Sequence, residues 1–211
     1  MKIVCVCPSS YAANTYLLLS HGKAIIVDPS VSVAAVERAL SEHSAELCGI
    51  LLTHGHFDHT ISIDTLREKY SIPLMMHKAD APMLTDGKTN GFYSFYKQER
   101  RHNAANILLN DADLIELGDE KIKLINTPGH SPGSSCFLCP DEDGGSFLIT
   151  GDTLFSNTIG RCDLWQGDEK KMADSLKMLR ELDPKMTIYP GHGPSYTLGG
   201  ALEVALFYAD F

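Results

Sequence analysis

Residues 53–59 read Thr-His-Gly-His-Phe-Asp-His. Four of the six residues at positions 54–59 are potential metal ligands. They are His54, His56, Asp58 and His59. The stretch follows the apolar run of residues 48–52, Cys-Gly-Ile-Leu-Leu, which predicts a buried strand. If the backbone stays extended beyond that strand, His54 and His56 point to the same side, and Gly55 permits a tight turn. A cluster of imidazoles and carboxylates without a thiolate indicates a site for Zn, Fe or Mn.

Three further ligand candidates follow predicted strands later in the chain. His130 lies in Thr-Pro-Gly-His-Ser-Pro-Gly, Asp152 in Thr-Gly-Asp-Thr-Leu-Phe, and His192 in Tyr-Pro-Gly-His-Gly. Each lies at a strand end beside a turn shaped by Gly or Pro, where a scaffold can present a side chain rigidly. The sequence therefore predicts that these three side chains complete the site begun by residues 54–59.

These motifs, in this order, resemble those of the metallo-β-lactamase superfamily, and the resemblance covers essentially the whole chain. It implies an α+β fold, a four-layer αβ/βα sandwich, in a single domain spanning residues 1–211. It also implies two divalent metal ions, with zinc expected and iron or manganese as alternatives. The implied ligands are His54, His56 and His130 for one metal, Asp58, His59 and His192 for the other, and Asp152 as a bridge. Asp58 is also expected to take part in catalysis.

A pair of metal ions has a chemical rationale. Two divalent ions about 3.5–4 Å apart lower the pKa of a bridging water enough to give hydroxide near neutral pH. They also polarise a carbonyl and stabilise the oxyanion that develops from it. The chain shows no Ser-His-Asp signature, so we predict a hydrolase that uses the bridging hydroxide and no protein nucleophile.

A narrower resemblance is to the glyoxalase II-like hydrolases, the hydroxyacylglutathione hydrolases. It rests on residues 151–155, on Gly160-Arg161 with Asp163, and on residues 190–193. It implies hydrolysis of thiolesters such as S-acyl-glutathione. Aspartate at position 152, where many true β-lactamases have cysteine, points away from antibiotic hydrolysis. Only 19 residues follow His192 in the 211-residue chain, so we expect no C-terminal glutathione-binding helical domain.

The stretch after Gly160 departs from the larger glyoxalases. Arg161 keeps a basic residue, but Asp163 stands where a tyrosine would contact glutathione. Persulfide dioxygenases, which use one iron, share the Gly-Arg-x-Asp pattern. Persulfide oxidation therefore stays open as an alternative, as does hydrolysis of another ester, a lactone or a phosphoester. A binding domain without catalysis is the alternative that the intact ligand set favours least.

Composition narrows the class of partner. Hydrophobic residues make up 44% and charged residues 21%, which is ordinary for a soluble globular enzyme. The net charge of −9 argues against nucleic acid and requires a local basic patch for any anionic substrate. The N-terminal residues resemble a strand more than a signal peptide, and no apolar stretch is long enough to span a membrane. With six cysteines expected as reduced, buried thiols, we predict a cytoplasmic protein.

Residues 86–110 form a predicted insert that is rich in interleaved aromatic and basic residues. We expect a small-molecule substrate, an acyl-thiol, with substrate contacts from Arg161, Tyr96, Lys97 and Arg100. A buried helix with a solvated basic face, or a contact between copies of the chain, would give the same pattern. The sequence does not predict the oligomeric state.

Hydrophobic periodicity predicts the remaining elements. Strands are expected at residues 2–7, 15–20, 24–27, 48–52, 73–76, 113–116, 121–126, 134–139, 146–150 and 186–189. Helices are expected from the Ser32 cap to about 40, over about 60–70 and 78–84, from the Asp168 cap to about 182, and over 201–211. Residues 28–30, Asp-Pro-Ser, are expected to form a turn.

Overall fold

Two six-stranded sheets lie at the centre of the structure, a computed structural model that describes residues 1–6 and 12–208. In each sheet the spatial order of the strands follows the chain. The first contains β1 (Lys2–Cys5), β2 (Tyr16–Ser20), β3 (Lys23–Val27), β4 (Glu46–Leu52), β5 (Leu74–His77) and β6 (Ile107–Leu109). The second contains β7 (Leu114–Leu117), β8 (Glu120–Asn126), β9 (Ser135–Pro140), β10 (Ser146–Gly151), β11 (Thr187–Pro190) and β12 (Tyr196–Thr197).

The pairing within the sheets brings particular strand ends together. In the first sheet β3, β4, β5 and β6 are parallel neighbours, and in the second sheet β10 and β11 are parallel. The other pairs are antiparallel. Because parallel strands end at the same edge, the loops after β4, β10 and β11 can contribute to sites at the carboxyl edges of their sheets.

Six α-helices are found among the described residues. They are α1 (Val33–Glu42), α2 (Ile63–Tyr70), α3 (Ala81–Thr85), α4 (Phe92–Tyr96), α5 (Glu169–Leu179) and α6 (Leu198–Tyr208). Both predicted caps are confirmed. The Ser32 hydroxyl accepts from the Ala35 amide at 3.3 Å, and the Asp168 carboxylate accepts from the Lys171 amide at 3.1 Å. None of the helices described here is both long and apolar enough to cross a membrane.

The packing gives four layers. Along β4, Leu51 packs into the core between the two sheets, whereas Ile50 and Leu52 pack with Leu66 of α2 on the outer face of the first sheet. On the outer face of the second sheet, Leu176 of α5 belongs to a third apolar cluster. Strand residues alternate between faces, so one strand serves two core layers. The predicted α+β sandwich of the metallo-β-lactamase type is confirmed.

Several elements differ from the sequence-based expectations. The five-residue α4 and the short strands β6 and β12 were not predicted, because elements of two to five residues hold too few apolar positions to show a period. The last helix begins at Leu198 instead of Ala201, and residues 209–211 lie outside the described residues, as does Cys7. The expectation of buried thiols is wrong for Cys5, which is exposed on the edge strand β1.

Candidate metal centre

The seven predicted ligands come together at one edge of the sandwich. Loops after β4, β8, β10 and β11 carry them, and a 3-10 turn over Phe57–His59 directs Asp58 and His59. Three groups of side chains have potential ligand atoms within 4.8 Å of one another: His54, His56 and His130; His54, His59 and Asp152; and Asp58, His59 and His192. Because the groups share members, they form one continuous centre, which suggests a dimetal site.

Asp152 lies between the two ends of this centre. Its Oδ2 atom is 3.6 Å from His130 Nε2 and 3.7 Å from His192 Nε2, and its Oδ1 atom is 3.4 Å from His59 Nε2. At one end, His56 Nδ1 lies 2.8 Å from His130 Nε2. At the other end, the carboxylate of Asp58 lies 3.3 Å from His192 Nε2. A carboxylate in this central position could be shared by metal ions held at the two ends.

Several buried atoms of the centre have no hydrogen-bond partner. They are the Nε2 atoms of His54, His56 and His59 and the Oδ1 atom of Asp152. An unpaired buried polar group costs about 1–3 kcal/mol, and native proteins contain few of them. A set of imidazole nitrogens and carboxylate oxygens is the ligand set that Zn and related divalent ions accept. The residues present therefore fit a metal, which would satisfy these atoms.

Burial and neighbouring charge set the protonation states. Burial, reinforced by His130, lowers the pKa of His56 to about 3. Burial likewise holds the pKa of His54 well below its usual value, with the charge of His59 adding to the effect. Burial alone would raise the pKa of Asp152, but His59 holds that pKa below its usual range. Burial alone would lower the pKa of His59, but Asp152 and Asp28 hold that pKa well above its usual value, so a metal ion would displace a proton from this imidazole. Neutral imidazole and ionised carboxylate are the forms that bind metals.

Asp28 orients His59, and sequence analysis missed this role. Its Oδ2 atom accepts from His59 Nδ1 at 2.9 Å and from the Thr53 hydroxyl at 2.7 Å, and its Oδ1 atom accepts from the Thr53 amide at 2.8 Å. With Nδ1 bonded to a carboxylate, His59 directs Nε2 towards the centre, as is usual for metal-binding histidines. Asp28 follows β3, the parallel neighbour of β4, so the strand-end argument used for Asp152 could have found it.

Asp80 ties two ligand loops together, and it was also missed. Its carboxylate accepts from the Gly55 amide at 3.1 Å, the Ser131 hydroxyl at 2.6 Å and the Gly133 amide at 2.5 Å. Burial raises the pKa of Asp80, and these three hydrogen bonds oppose the rise. Gly55 belongs to the loop after β4, and the other two partners, Ser131 and Gly133, follow His130 in its turn. The carboxylate therefore fixes one loop against the other.

Two further backbone features position the remaining histidines. His130 Nδ1 donates to the Arg161 carbonyl at 2.7 Å, which directs Nε2 towards the centre. Gly191 lies so close to the other ligands that an added Cβ would be 2.2 Å from Asp152 Oδ1 and 2.8 Å from His59 Cε1. Only glycine allows this approach, so the residue before His192 is dictated by the packing of the centre.

The four predicted substrate residues have different surroundings. The Arg161 guanidinium makes two hydrogen bonds to the exposed Asp163 carboxylate, at 2.6 and 2.7 Å. Arg100 donates to the Ile61 carbonyl at 3.1 Å, and Lys97 donates within α4. Tyr96 is largely exposed and packs against the ring of Phe57. Phe57 lies between the ligand candidates His56 and Asp58 in the sequence. The structure thus places Tyr96 beside the ligand loop, whereas Arg100 has a structural partner.

The sequence profile of the metallo-beta-lactamase superfamily matches residues 10–192. The chain belongs to this superfamily. It is 33% identical over 183 residues to the probable metallo-hydrolase YqgX of Bacillus subtilis (strain 168), covering 86% of this chain and 85% of that protein.

Two solved structures are also similar. The BLEG-1 B3 metallo-beta-lactamase superposes with a TM-score of 0.88 at 30% identity, over 98% of this chain and 99% of that one. TTHA1623 in a di-iron-bound form superposes with a TM-score of 0.83 at 28% identity, over 97% and 99% of the two chains. The chain is thus a metallo-hydrolase superfamily member that is similar to a protein solved with two bound irons.

Asp152→Ala is expected to weaken the binding of both metals of this superfamily member. It removes the shared carboxylate and leaves the repulsion between two cations uncompensated. Elemental analysis after gel filtration should find about two metal ions per unmodified chain and well under half of that content in the variant. Asp163→Ala, which removes an exposed carboxylate outside the centre, is the control. Equal metal content in both variants would contradict the bridging role.

Asp80→Asn is expected to lower metal affinity about 10- to 100-fold, the usual effect of removing a group that supports metal ligands. Asparagine keeps the shape, but its amide nitrogen cannot accept from the Gly55 or Gly133 amide. Competition with a chromophoric zinc chelator measures the effect. Asp86→Asn, in an exposed turn six residues later, should leave the affinity unchanged. Unchanged affinity in Asp80→Asn would show that the ligand loops hold their positions without it.

Proposed function

We propose that this metal-dependent hydrolase cleaves thiolesters, with S-acyl-glutathione or a similar acyl-thiol as its substrate. The observation that carries the proposal is the position of the Asp152 carboxylate between two complete groups of ligands. In this arrangement His54, His56 and His130 would hold one metal ion and Asp58, His59 and His192 the other. Two divalent ions in such a centre supply a water of lowered pKa and polarise the carbonyl of the substrate.

The protein's own residues define where the substrate approaches. The side chains of His54, His56, His59 and His130 are almost fully buried, whereas His192 is 38% exposed and Asp58 is 22% exposed. The centre therefore opens towards solvent on the side of Asp58 and His192. Burial raises the pKa of Asp58, but its hydrogen bond to His192 lowers it to a net value below the usual one. Asp58 is thus ionised and can accept a hydrogen bond from the attacking water, which orients that water.

The choice of a thiolester follows from the roles of the titratable side chains at the centre. Among the described residues these side chains are potential ligands or, in the case of Asp28, hold a ligand in place, and the Tyr16 hydroxyl donates to the Pro190 carbonyl at 2.7 Å. A leaving amine or alkoxide needs a proton from a general acid. A thiolate, whose conjugate thiol has a pKa of about 8.5, can leave without one. This supports an acyl-thiol over an unstrained amide, and it supports the glyoxalase II-like branch.

Hydrolysis of a β-lactam is the second candidate. The similarity to BLEG-1, described as a B3 metallo-beta-lactamase, favours it specifically. It requires the same attack on an acyl carbon, but the leaving group is an amide nitrogen in place of a thiolate. The di-iron form of TTHA1623 favours iron as an alternative to zinc. Both possibilities are resolved by substrate and metal comparisons on one protein preparation.

The zinc-loaded protein is expected to release thiol from S-lactoylglutathione or another S-acyl-glutathione, measured with a colorimetric thiol reagent. Activity should disappear after chelation and return when zinc is added back. A chromogenic cephalosporin serves as the β-lactam comparison, and oxygen uptake with glutathione persulfide tests the dioxygenase alternative on iron-loaded protein. Oxygen uptake without thiol release from any acyl-thiol would overturn the proposal.

Arg161→Ala is expected to raise KM for S-acyl-glutathione about two- to fivefold with little change in kcat. An exposed ion pair contributes about 0.2–1 kcal/mol, and binding shared by ground and transition states changes KM alone. Arg180→Ala, which removes the same charge from the end of α5, is the control. Because Asp163 competes for the guanidinium, Asp163→Asn should lower KM. If KM is unchanged in both Arg161→Ala and Asp163→Asn, the carboxylates of the substrate bind elsewhere.

A further inference from the structure

Four aromatic rings cluster beside the metal-ligand loop. The Phe57 ring centroid lies 5.3 Å from that of Phe92, 5.9 Å from Phe95 and 5.8 Å from Tyr96, and the Phe92 and Tyr96 rings are 4.6 Å apart. We refer to these four residues as the aromatic wall. Phe95 is 56% exposed and Tyr96 is 58% exposed, so the wall presents apolar surface to solvent. An exposed apolar patch next to a reactive centre marks a binding groove.

We propose that the aromatic wall is a subsite for an aromatic or bulky apolar group of the substrate, on either the acyl or the thiol side of the reacting bond. The identity of that bond rests on the function proposed above. The apolar preference rests on the wall itself. Offset and edge-to-face contacts between rings stabilise such a complex beyond simple burial of area.

The wall is fixed to the metal ligands by covalent and hydrogen bonds. Phe57 stands between His56 and Asp58 in the ligand loop, and its amide donates to the Asn90 carbonyl at 3.0 Å. Gly91, which directly precedes α4, lies against the His56 ring, where an added Cβ would be 3.5 Å from Cδ2. A group that stacks on the wall is therefore held next to the ligand loop, at the His56 end of the centre.

The segment that carries α4 is also closed on itself, which keeps the rings in place. Asn90 Nδ2 donates to the Arg100 carbonyl at 2.8 Å, and the Arg100 guanidinium donates to the Ile61 carbonyl at 3.1 Å. That guanidinium also lies 5.9 Å from the Phe92 ring. The His102 amide donates to the Leu84 carbonyl at 2.7 Å. The Arg100 guanidinium thus connects the segment that carries the wall to the residues after the ligand loop.

The charge beside the wall is already compensated. The Arg161 guanidinium lies 5.9 Å from the Phe95 ring, and its Nε and Nη2 atoms both donate to the Asp163 carboxylate. An anionic group that approaches this edge of the guanidinium must compete with that carboxylate, whereas an apolar group can stack on Phe95 without doing so. Together with the net charge of −9, this favours an apolar group over a carboxylate at the wall.

Helix α4 provides a matched control. Phe92, Phe95 and Tyr96 are spaced i, i+3 and i+4, so they share one face of the helix. Tyr93 lies on the next face, where its ring is 5.9 Å from Lys97 Nζ. Tyr93 is 40% exposed and has the same helical context, so its replacement removes a ring outside the wall.

Calorimetric titration of the zinc-loaded protein with phenylmethanethiol and ethanethiol tests the thiol side, because both probes can bind the metals whatever the natural reaction is. A subsite there predicts roughly tenfold tighter binding of the aromatic thiol. Phe95→Ala and Tyr96→Ala should each reduce that preference to about two- to threefold, and Tyr93→Ala should keep it. Thermal melting confirms that the variants are folded, which is expected since both side chains are exposed.

The acyl side is tested by comparing kcat/KM for S-phenylacetyl-glutathione and S-acetyl-glutathione in the same four proteins. If the preference for the aromatic group is lost only in Phe95→Ala and Tyr96→Ala, in either experiment, the proposal is supported. The experiment that shows this loss tells whether the aromatic group binds on the thiol side or on the acyl side of the reacting bond. A binding preference without any thiolester hydrolysis would overturn the proposed function but keep the wall. The proposal is wrong if neither preference depends on the wall, or if Tyr93→Ala has the same effect. It is also wrong if the two wall variants only convert a dimer to a monomer on size-exclusion chromatography.

Discussion

The fold is organised around buried ligand atoms that the protein itself leaves without partners. Three imidazole nitrogens and one carboxylate oxygen are removed from water at a single edge of the sandwich. Each would cost free energy in a metal-free interior, and a metal ion offsets that cost. Metal binding and correct loop geometry are therefore coupled, because the loops must hold several unfavourable atoms together before a cation can bind.

The surrounding protein meets this requirement with hydrogen bonds between segments that are distant in sequence. The Ser135 amide donates to the Thr53 carbonyl at 2.9 Å, which joins the second sheet to the loop after β4. Asp28 connects the ends of β3 and β4 through Thr53 and His59. Asp80 connects the loop after β4 to the turn of His130. Each ligand is thus oriented by a group that is itself held by the sheets, the usual condition for a preorganised site.

The same organisation explains what could be predicted from sequence. The seven ligand candidates were recognisable because each follows an apolar strand and lies beside a glycine or proline turn. Their grouping in space agrees with that expectation. Asp28 carries the same signal, because it directly follows β3 and precedes Pro29, whereas Asp80 lies beyond the end of β5 and acts on partners 25 and 53 residues away. The aromatic wall was visible only as a composition, since the packing of Phe57 against α4 depends on how the segment after α3 returns to the ligand loop.

The central claim is that this centre holds two metal ions that share one carboxylate. Anomalous diffraction at the zinc edge, from crystals of the zinc-loaded protein, tests it most directly. We predict two peaks about 3.5–4 Å apart, one among His54, His56 and His130 and one among Asp58, His59 and His192, with the Asp152 carboxylate between them. A single fully occupied peak, with the other group of ligands empty at saturating zinc, would contradict it.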